Sequence, residues 1–343
     1  MLEGMRLLDL SSRLPGPLCS MILSDLGMEV IRVEPPEHLG KGDLFREIPE
    51  KEASYFAMLN RGKKSITLNL KTDRGRKLFL DLVEKADVVL EGFRPGVMER
   101  LGIGYKALKE VNPRIVLASI SGYGQTGPYR ERAGHDLNYL AYSGILGLNA
   151  PAGGGRPVMP PVQIADVAGG TYPAVIGILA ALIERDKTGK GRWLDISMLD
   201  GSLFLMALAL FDWGIGKPIA PGIPPISWAS VNYNVYETRD GQFLAVGALE
   251  ENFWRAFCEA LGKPEWLNLN KDGEAMRDEG FIEKVRELFL TKSRDEWLEF
   301  FKEHDICLSP VYTFEEVARD PHVAERDVFR WKPLPDGRRF PYV

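Results

Sequence analysis

The chain has 343 residues, 45% hydrophobic and 27% charged, the balance of an ordinary globular enzyme. Its formal net charge of −5 disfavours a nucleic-acid partner, although an acidic protein can still carry a local basic patch for a phosphorylated ligand. The three scattered cysteines, Cys19, Cys258 and Cys307, form no C-x-x-C pair, so neither a metal site nor a disulfide framework is expected. The first residues lack the basic start and apolar run of a leader, and the most apolar stretch, 174–183, is too short for a bilayer. A cytoplasmic protein with no membrane partner is therefore expected.

A chain of this length usually holds more than one core, which predicts two domains. An apolar run at 6–10 predicts the first strand. The Ser-Ser-Arg-Leu-Pro-Gly-Pro turn of 11–17 follows, then an apolar helix at 18–26 stopped by Gly27, and a strand at 29–34. The rhythm repeats with a helix at 75–86 and a strand at 87–90, then a helix at 104–112 and a strand at 114–119. A long helix at 167–185, a strand at 192–198 and an apolar helix at 201–213 complete the block. Helices alternating with short Val/Ile/Leu strands predict an α/β fold with a parallel sheet covered on both faces.

At 214–227 the composition turns to prolines and glycines, which marks a connector. Beyond it, 233–238 and 243–247 flank Asp240-Gly241, a pair that supplies the positive φ of a tight hairpin. Helices are predicted at 252–261, 281–290 and 295–304, and 306–312 reads as a return to the first domain. The expected division is a large domain at 1–213 and 306–343, a linker at 214–230, and a small α+β domain at 231–305.

Chemistry concentrates in three segments. His135 sits in Ala133-Gly134-His135-Asp136-Leu137-Asn138-Tyr139. Asp166 sits in Ile164-Ala165-Asp166-Val167-Ala168-Gly169-Gly170, and Glu250 in Val246-Gly247-Ala248-Leu249-Glu250-Glu251-Asn252-Phe253. An imidazole titrates near neutrality, and a carboxylate can share its work or orient it. Each residue also has a plainer reading. A lone histidine beside an aspartate is most often a structural pair, Asp166 before a long helix reads as an N-cap, and Glu250 as a first-turn acid facing the helix dipole. Gly169 and Gly170 weaken a first turn unless something must approach the backbone there. The Gly122–Gly127 segment matches G-x-G-x-x-G, but Pro128 and a Tyr-Arg-Glu-Arg run follow where that fingerprint needs a helix, so it reads as a channel loop. Arg61, Lys63, Lys64, Lys71, Arg94 and Arg100 gather in the first domain; about half such charges are simply solvated, and the rest suit phosphates.

Further motifs run in register with these: Pro15-Gly16-Pro17, Val30-Ile31-Arg32-Val33-Glu34, Leu59-Asn60-Arg61-Gly62-Lys63-Lys64-Ser65, Glu91-Gly92-Phe93-Arg94-Pro95-Gly96-Val97, Ser121 to Pro128, and Lys187 to Gly191. Together they resemble the family III CoA-transferases, and within them the α-methylacyl-CoA racemase branch. The resemblance implies a Rossmann-like large domain, a small domain reached by two linkers, and a homodimer of interlocked chains. It implies an isomerase of fatty acid metabolism that inverts the α-carbon of 2-methylacyl-CoA thioesters. CoA is then part of the substrate, and no cofactor or metal is implied.

In that frame His135 and Asp166 are the two acid/base groups, and Glu250 hydrogen-bonds the histidine. The backbone N–H of Asp136 points at the thioester oxygen, within a substrate-binding segment that includes Gly134, Asn138 and Tyr139. Leu68, Asn69 and Lys71 border the adenine and ribose, and Arg94 and Arg100 lie near the phosphates. The rival reading is a CoA-transferase with Asp166 as nucleophile. Transferases need neither His135 nor Glu250, so their presence favours the racemase. One departure from the racemase pattern is that Pro35-Pro36 follows Glu34, where an arginine is usual.

Overall fold

The computed structural model describes residues 1–36, 42–47, 53–151, 154–221, 230–271, 275–333 and 337–342. It divides into two compact units, the larger built chiefly from Met1–Asn149 and Pro157–Ala207, the smaller chiefly from Leu208–Pro333.

In the larger unit six strands form one sheet: β1 (Arg6–Asp9), β2 (Glu29–Glu34), β3 (Lys64–Thr67), β4 (Val88–Glu91), β5 (Val116–Ser121) and β6 (Trp193–Ser197). Every pairing is parallel, and the order is β3-β2-β1-β4-β5-β6. Successive side chains of a strand point to opposite faces, and both faces here are apolar. Leu7, Val30, Val88, Leu90, Val116 and Ala118 pack with Cys19, Leu23, Ile178 and Leu182. Leu8, Val33, Val89 and Leu117 pack on the other face with Phe79, Val83 and Leu108. This is the two-sided burial that short, continuous Val/Ile/Leu strands demand. The strand order reverses direction between β1 and β4. Loops leaving the carboxyl ends of those strands diverge there, and doubly wound sheets bind ligands in that crevice.

Three elements up to Gly214 differ from the sequence expectation. β3 carries no apolar run, because it is an exposed edge strand whose only partly buried side chain is Ile66. The long helix Tyr172–Thr188 is preceded without a break by a π-helical turn, Ala165–Thr171, giving 24 continuous helical residues. By length and composition alone that helix could cross a membrane; here Ala174, Val175, Ile178, Ala181 and Leu182 cover the sheet, and Arg185 binds Asp87 at 2.8 Å. The apolar helix predicted at 201–213 is two, Met198–Leu205 and Ala207–Gly214, separated at Met206.

The smaller unit holds the antiparallel sheet β7 (Tyr233–Glu237), β8 (Phe243–Gly247) and β9 (Leu308–Pro310). The Asp240-Gly241 turn joins β7 to β8, with Gly241 at φ 72° and Thr238 N–H donating to Gln242 O at 2.8 Å. Helices Glu251–Ala260, Glu279–Phe289 and Arg294–Phe301 cover the sheet with Trp254, Phe257, Phe289, Trp297 and Phe301. The expected return of 306–343 to the large domain is corrected. Leu308–Pro310 pairs with β8, and a hairpin of β10 (Arg330–Pro333) and β11 (Arg339–Tyr342) follows. β9 is only three residues long and ends in proline, so its pairing was hidden in the sequence. Of the connector expected at 214–230, residues 222–229 lie outside the described residues.

A buried ionic cluster closes the carboxyl end of β1. Asp9 is fully buried beside Arg32 (3.5 Å) and Lys63 (3.3 Å), and Arg32 reaches Asp43 at 2.7 Å. Burial would raise the Asp9 carboxyl, yet Lys63, Arg32 and the Ser11 and Ser20 hydroxyls hold it below the ordinary range. Burial brings Lys63 down to about 8 despite its pairing with Asp9. Removing one partner from such a group strands the remaining charge. Arg32→Met is therefore expected to lower unfolding free energy by about 3–5 kcal/mol, read from denaturant midpoints. A loss below about 1 kcal/mol, the size of an exposed pair, would show that Arg32 does not neutralise the cluster.

Candidate active site

The turn after β1 folds back so closely that a Cβ on Gly16 would lie 2.2 Å from Ser11 Cβ. That turn supplies Ser11, Ser12, Arg13 and Pro15 to a cleft of about 460 Å³. The turn after β4 supplies Gly92 to Pro95, and the end of β5 supplies Ile120 to Tyr123. The cleft therefore sits at the point where the strand order reverses. His135, Gly134, Asn138, Tyr139 and Asp166 line it as well, all of them from the larger unit.

His135 occupies the N-cap position of helix Asp136–Tyr142, in extended backbone. Its N–H donates to the Asn138 carboxamide oxygen at 3.0 Å, and Asn138 N–H donates back to His135 O at 2.8 Å. This fixes the backbone and leaves the imidazole in the cleft. As the first helical residue, Asp136 has an N–H with no acceptor inside the helix. The Asp136 carboxylate accepts the Asp166 N–H at 3.0 Å and so joins the two segments.

Asp166 is not an N-cap. It is the second residue of the π-helical turn, and it lines the cleft. The close approach expected at the nearby glycines is made by another helix. A Cβ on Gly169 would meet Met198 O at 2.6 Å, and one on Gly201 would meet Gly169 O at 2.1 Å. Two helix backbones cross there, and only glycine permits it. Burial raises the Asp166 carboxyl to about 6, the Asp136 carboxylate pushes the same way, and Arg13 opposes both.

Tyr139 is buried with its hydroxyl on Gly134 O at 2.6 Å. Cβ atoms at Gly122 and Gly134 would come within 2.5 and 2.7 Å of its ring, so these glycines make room for the tyrosine. Burial, with Asp166 nearby, raises its phenol above the ordinary range. Arg94 enters the cleft from the turn after β4. That turn is held by Glu91, which accepts Phe93 N–H at 2.7 Å and is pushed by burial to about 7.

The remaining predicted residues lie elsewhere. Leu68, Asn69, Lys71 and Arg100 are not among the cleft's lining residues. Asn69 uses its carboxamide oxygen on Lys71 N–H at 3.0 Å, and Leu68 N–H extends the sheet by donating to Glu34 O at 2.8 Å. Glu34 is nearly buried and binds Arg46 at 2.7 Å, so its carboxylate is engaged within the fold. Glu250 belongs to the smaller unit, at the N-cap of helix Glu251–Ala260, with no capping bond from its side chain. Glu251 is ion-paired with Arg255, whereas no hydrogen bond or ion pair holds the Glu250 carboxylate among the described residues. Among the described residues no three His, Cys, Asp or Glu side chains group as a metal site.

Sequence reasoning passed over Arg13, Arg130 and Arg132, which also line the cleft. Arg13 was visible only as part of a turn, and the other two as a charged run that argued against a helix. A residue with φ of 69°, such as Arg13, leaves no signature in composition or periodicity.

The model of the CoA-transferase family III matches residues 2–343. Alpha-methylacyl-CoA racemase of Homo sapiens is 36% identical over 340 residues, covering 96% of this chain and 82% of that protein. Acetyl-CoA:oxalate CoA-transferase of Acetobacter aceti is 33% identical over 335 residues, covering 95% and 84%. Among solved structures, a mutant of Rv3272 from Mycobacterium tuberculosis superposes with a TM-score of 0.86 at 28% identity, covering 100% of this chain and 90% of that one. A match that spans the chain from end to end, over a six-stranded sheet with its cleft at the switch point, leads to one conclusion: the protein belongs to CoA-transferase family III.

Proposed function

We propose that the protein epimerises the α-carbon of 2-methylacyl-CoA thioesters by two-base proton transfer. The observation that carries this reading is that His135 and Asp166 line one cleft, with Asp166 raised to about 6. An imidazole and a carboxyl raised toward neutrality can each act as base or acid. One removes the α-proton and the other returns a proton to the opposite face, and the roles exchange with the incoming stereoisomer. Between the two steps lies an enolate. The free N–H of Asp136 is the donor that would stabilise its oxygen; losing one such donor costs other enzymes about 3–4 kcal/mol. The racemase among the relatives supports this reading.

The nucleotide would extend from the cleft along the carboxyl edge of the sheet. Arg94 and Arg100 follow β4, which bounds the cleft, and Leu68, Asn69 and Lys71 follow β3, the edge strand two places beyond β1. A CoA-transferase remains the second reading for a specific reason. Among the described residues Asp166 is the only carboxylate lining the cleft, the position a nucleophile would take, and transferases are also among the relatives.

The deciding experiment incubates (R)-2-methylacyl-CoA with the protein in deuterium oxide, with and without a carboxylate acceptor. Deuterium should enter at C2 and the (S) form should appear without any acceptor. CoA passing to the acceptor while C2 keeps its hydrogen would establish the transferase instead.

The Asp166 environment also predicts a pH-dependent trade-off. Its folded pKa of about 6 lies above the ordinary 3.8, so the fold favours the protonated carboxyl. That contribution is fully present below 3.8 and is lost as pH rises through about 6. Asp166→Asn removes the ionisation. The variant should therefore melt above wild type at pH 7.5, with the difference opening from about pH 4 and levelling off above about pH 6. Melting curves that stay parallel across this range would contradict the raised carboxyl.

A further inference from the structure

Arg13 lines the cleft, yet the proposed reaction leaves it without a role. Among the described residues only Arg13 and Asp327 combine a side chain with a positive φ. Such a conformation persists where the surroundings over-determine it, and it concentrates at functional sites. Here the determinant is visible. Arg13 N–H faces the Asp43 carboxylate at 3.3 and 3.4 Å, and Arg32 fixes that carboxylate at 2.7 Å. The fold holds the main chain so that the Arg13 side chain stands over the cleft.

Arg13 is exposed, and no hydrogen bond or ion pair engages its guanidinium among the described residues. The neighbouring arginines differ. Arg132 donates to the Tyr142 hydroxyl at 2.7 Å and lies 3.9 Å over the Tyr129 ring, and Arg130 pairs with Glu131 at 3.5 Å. Arg13 lines the same cleft as Asp166 and Tyr139, and its charge acts on both. The phosphates of a bound CoA are separated from its thioester carbon by the whole pantetheine arm. Arg94, which lines the cleft from the turn after β4, is the cation the proposed pose gives to those phosphates, and this leaves the other end to Arg13 on the turn after β1. The group within its reach is the acyl chain, and a guanidinium fork matches a carboxylate.

We propose that Arg13 binds a carboxylate on the acyl group, so that the preferred substrates are CoA monothioesters of short 2-methyl dicarboxylic acids. The inference rests on the acyl-CoA reading of the cleft and names the substrate class. It is tested by binding, which does not depend on the chemistry. The probes are 2-methylsuccinyl-CoA and 2-methylbutanoyl-CoA, which differ only in a terminal carboxylate against a methyl group. Their dissociation constants are measured by calorimetry on the full chain as wild type, Arg13→Leu and Arg13→Lys, with solvent deuterium exchange at C2 followed separately.

Wild type should prefer the carboxylate-bearing thioester. Arg13→Leu should reduce that preference by about ten- to a hundredfold, the effect of losing a hydrogen bond to a charged group. Arg13→Lys should restore part of it, since an ammonium keeps the charge without the fork. If Arg13→Leu fails to fold, wild type against Arg13→Lys still decides. Equal preference in wild type and variants overturns the proposal, as does a wild-type preference for the methyl-ended thioester. Exchange at C2 without any preference leaves the racemase reading standing and removes the carboxylate subsite. A preference that follows Arg13 without exchange does the reverse.

Discussion

The carboxylate of Asp9 is fully buried at the last residue of β1, and the way it is neutralised fixes the floor of the cleft. An isolated charge in that position would be prohibitive, so cations must converge on it. Arg32 comes from β2 and Lys63 from just before β3. The Ser11 and Ser20 hydroxyls donate to the same carboxylate and tie in the β1 turn and helix Pro15–Asp25. Arg32 then reaches Asp43, which in turn takes the Arg13 N–H. The turn lining the cleft is thus set by charge pairing beneath it, whereas the sheet around it is set by apolar packing. A cleft whose floor is pinned in this way needs little reorganisation during reaction, which is what electrostatic stabilisation of an enolate requires.

A second constraint joins the two chemical segments. The Asp136 carboxylate accepts the Asp166 N–H, so the helix that begins at His135 and the π-helical turn carrying Asp166 are held together. The same carboxylate raises the Asp166 carboxyl, while Arg13 lowers it. A carboxyl near 6 suits a proton carrier, and one further depressed suits a nucleophile that must stay ionised. Burial, Asp136 and Arg13 together therefore set the protonation of the one carboxylate lining this cleft among the described residues.

Much of the fold was legible because the strands of a parallel sheet must be apolar on both faces and must be separated by helices. β1, β2, β4, β5 and β6 follow from that rule, and the Asp240-Gly241 turn announces the β7–β8 hairpin. β3 and β9 escaped because one is exposed and the other very short. Neither has the long burial pattern that writes a strand into sequence. In the site, His135, Asp166, Gly134, Asn138, Tyr139 and Arg94 were found by motif, and the cleft contains all six. Gly169 and Gly170 marked a close approach to the backbone, but the pattern did not name what approaches, which is the helix Met198–Leu205. Nor did it show that Gly122 makes room for Tyr139 or that the Asp136 carboxylate binds Asp166. These are contacts between distant segments, and a linear pattern does not record which backbone needs the space. Arg13 escaped for the same reason, since its backbone is fixed by Asp43, thirty residues away.

In the proposed reaction His135 and Asp166 serve opposite faces of one α-carbon. The most direct test follows solvent deuterium into C2 from each pure enantiomer of a 2-methylacyl-CoA, using His135→Ala and Asp166→Ala. Each variant should lose inversion, by roughly 10²–10⁴-fold, the scale of a lost general acid or base. Each should still exchange the α-hydrogen of one enantiomer, the opposite one in the two variants, because the surviving base still faces one side of the carbon. Exchange of both enantiomers by His135→Ala, with none by Asp166→Ala, would contradict the account and leave Asp166 acting alone.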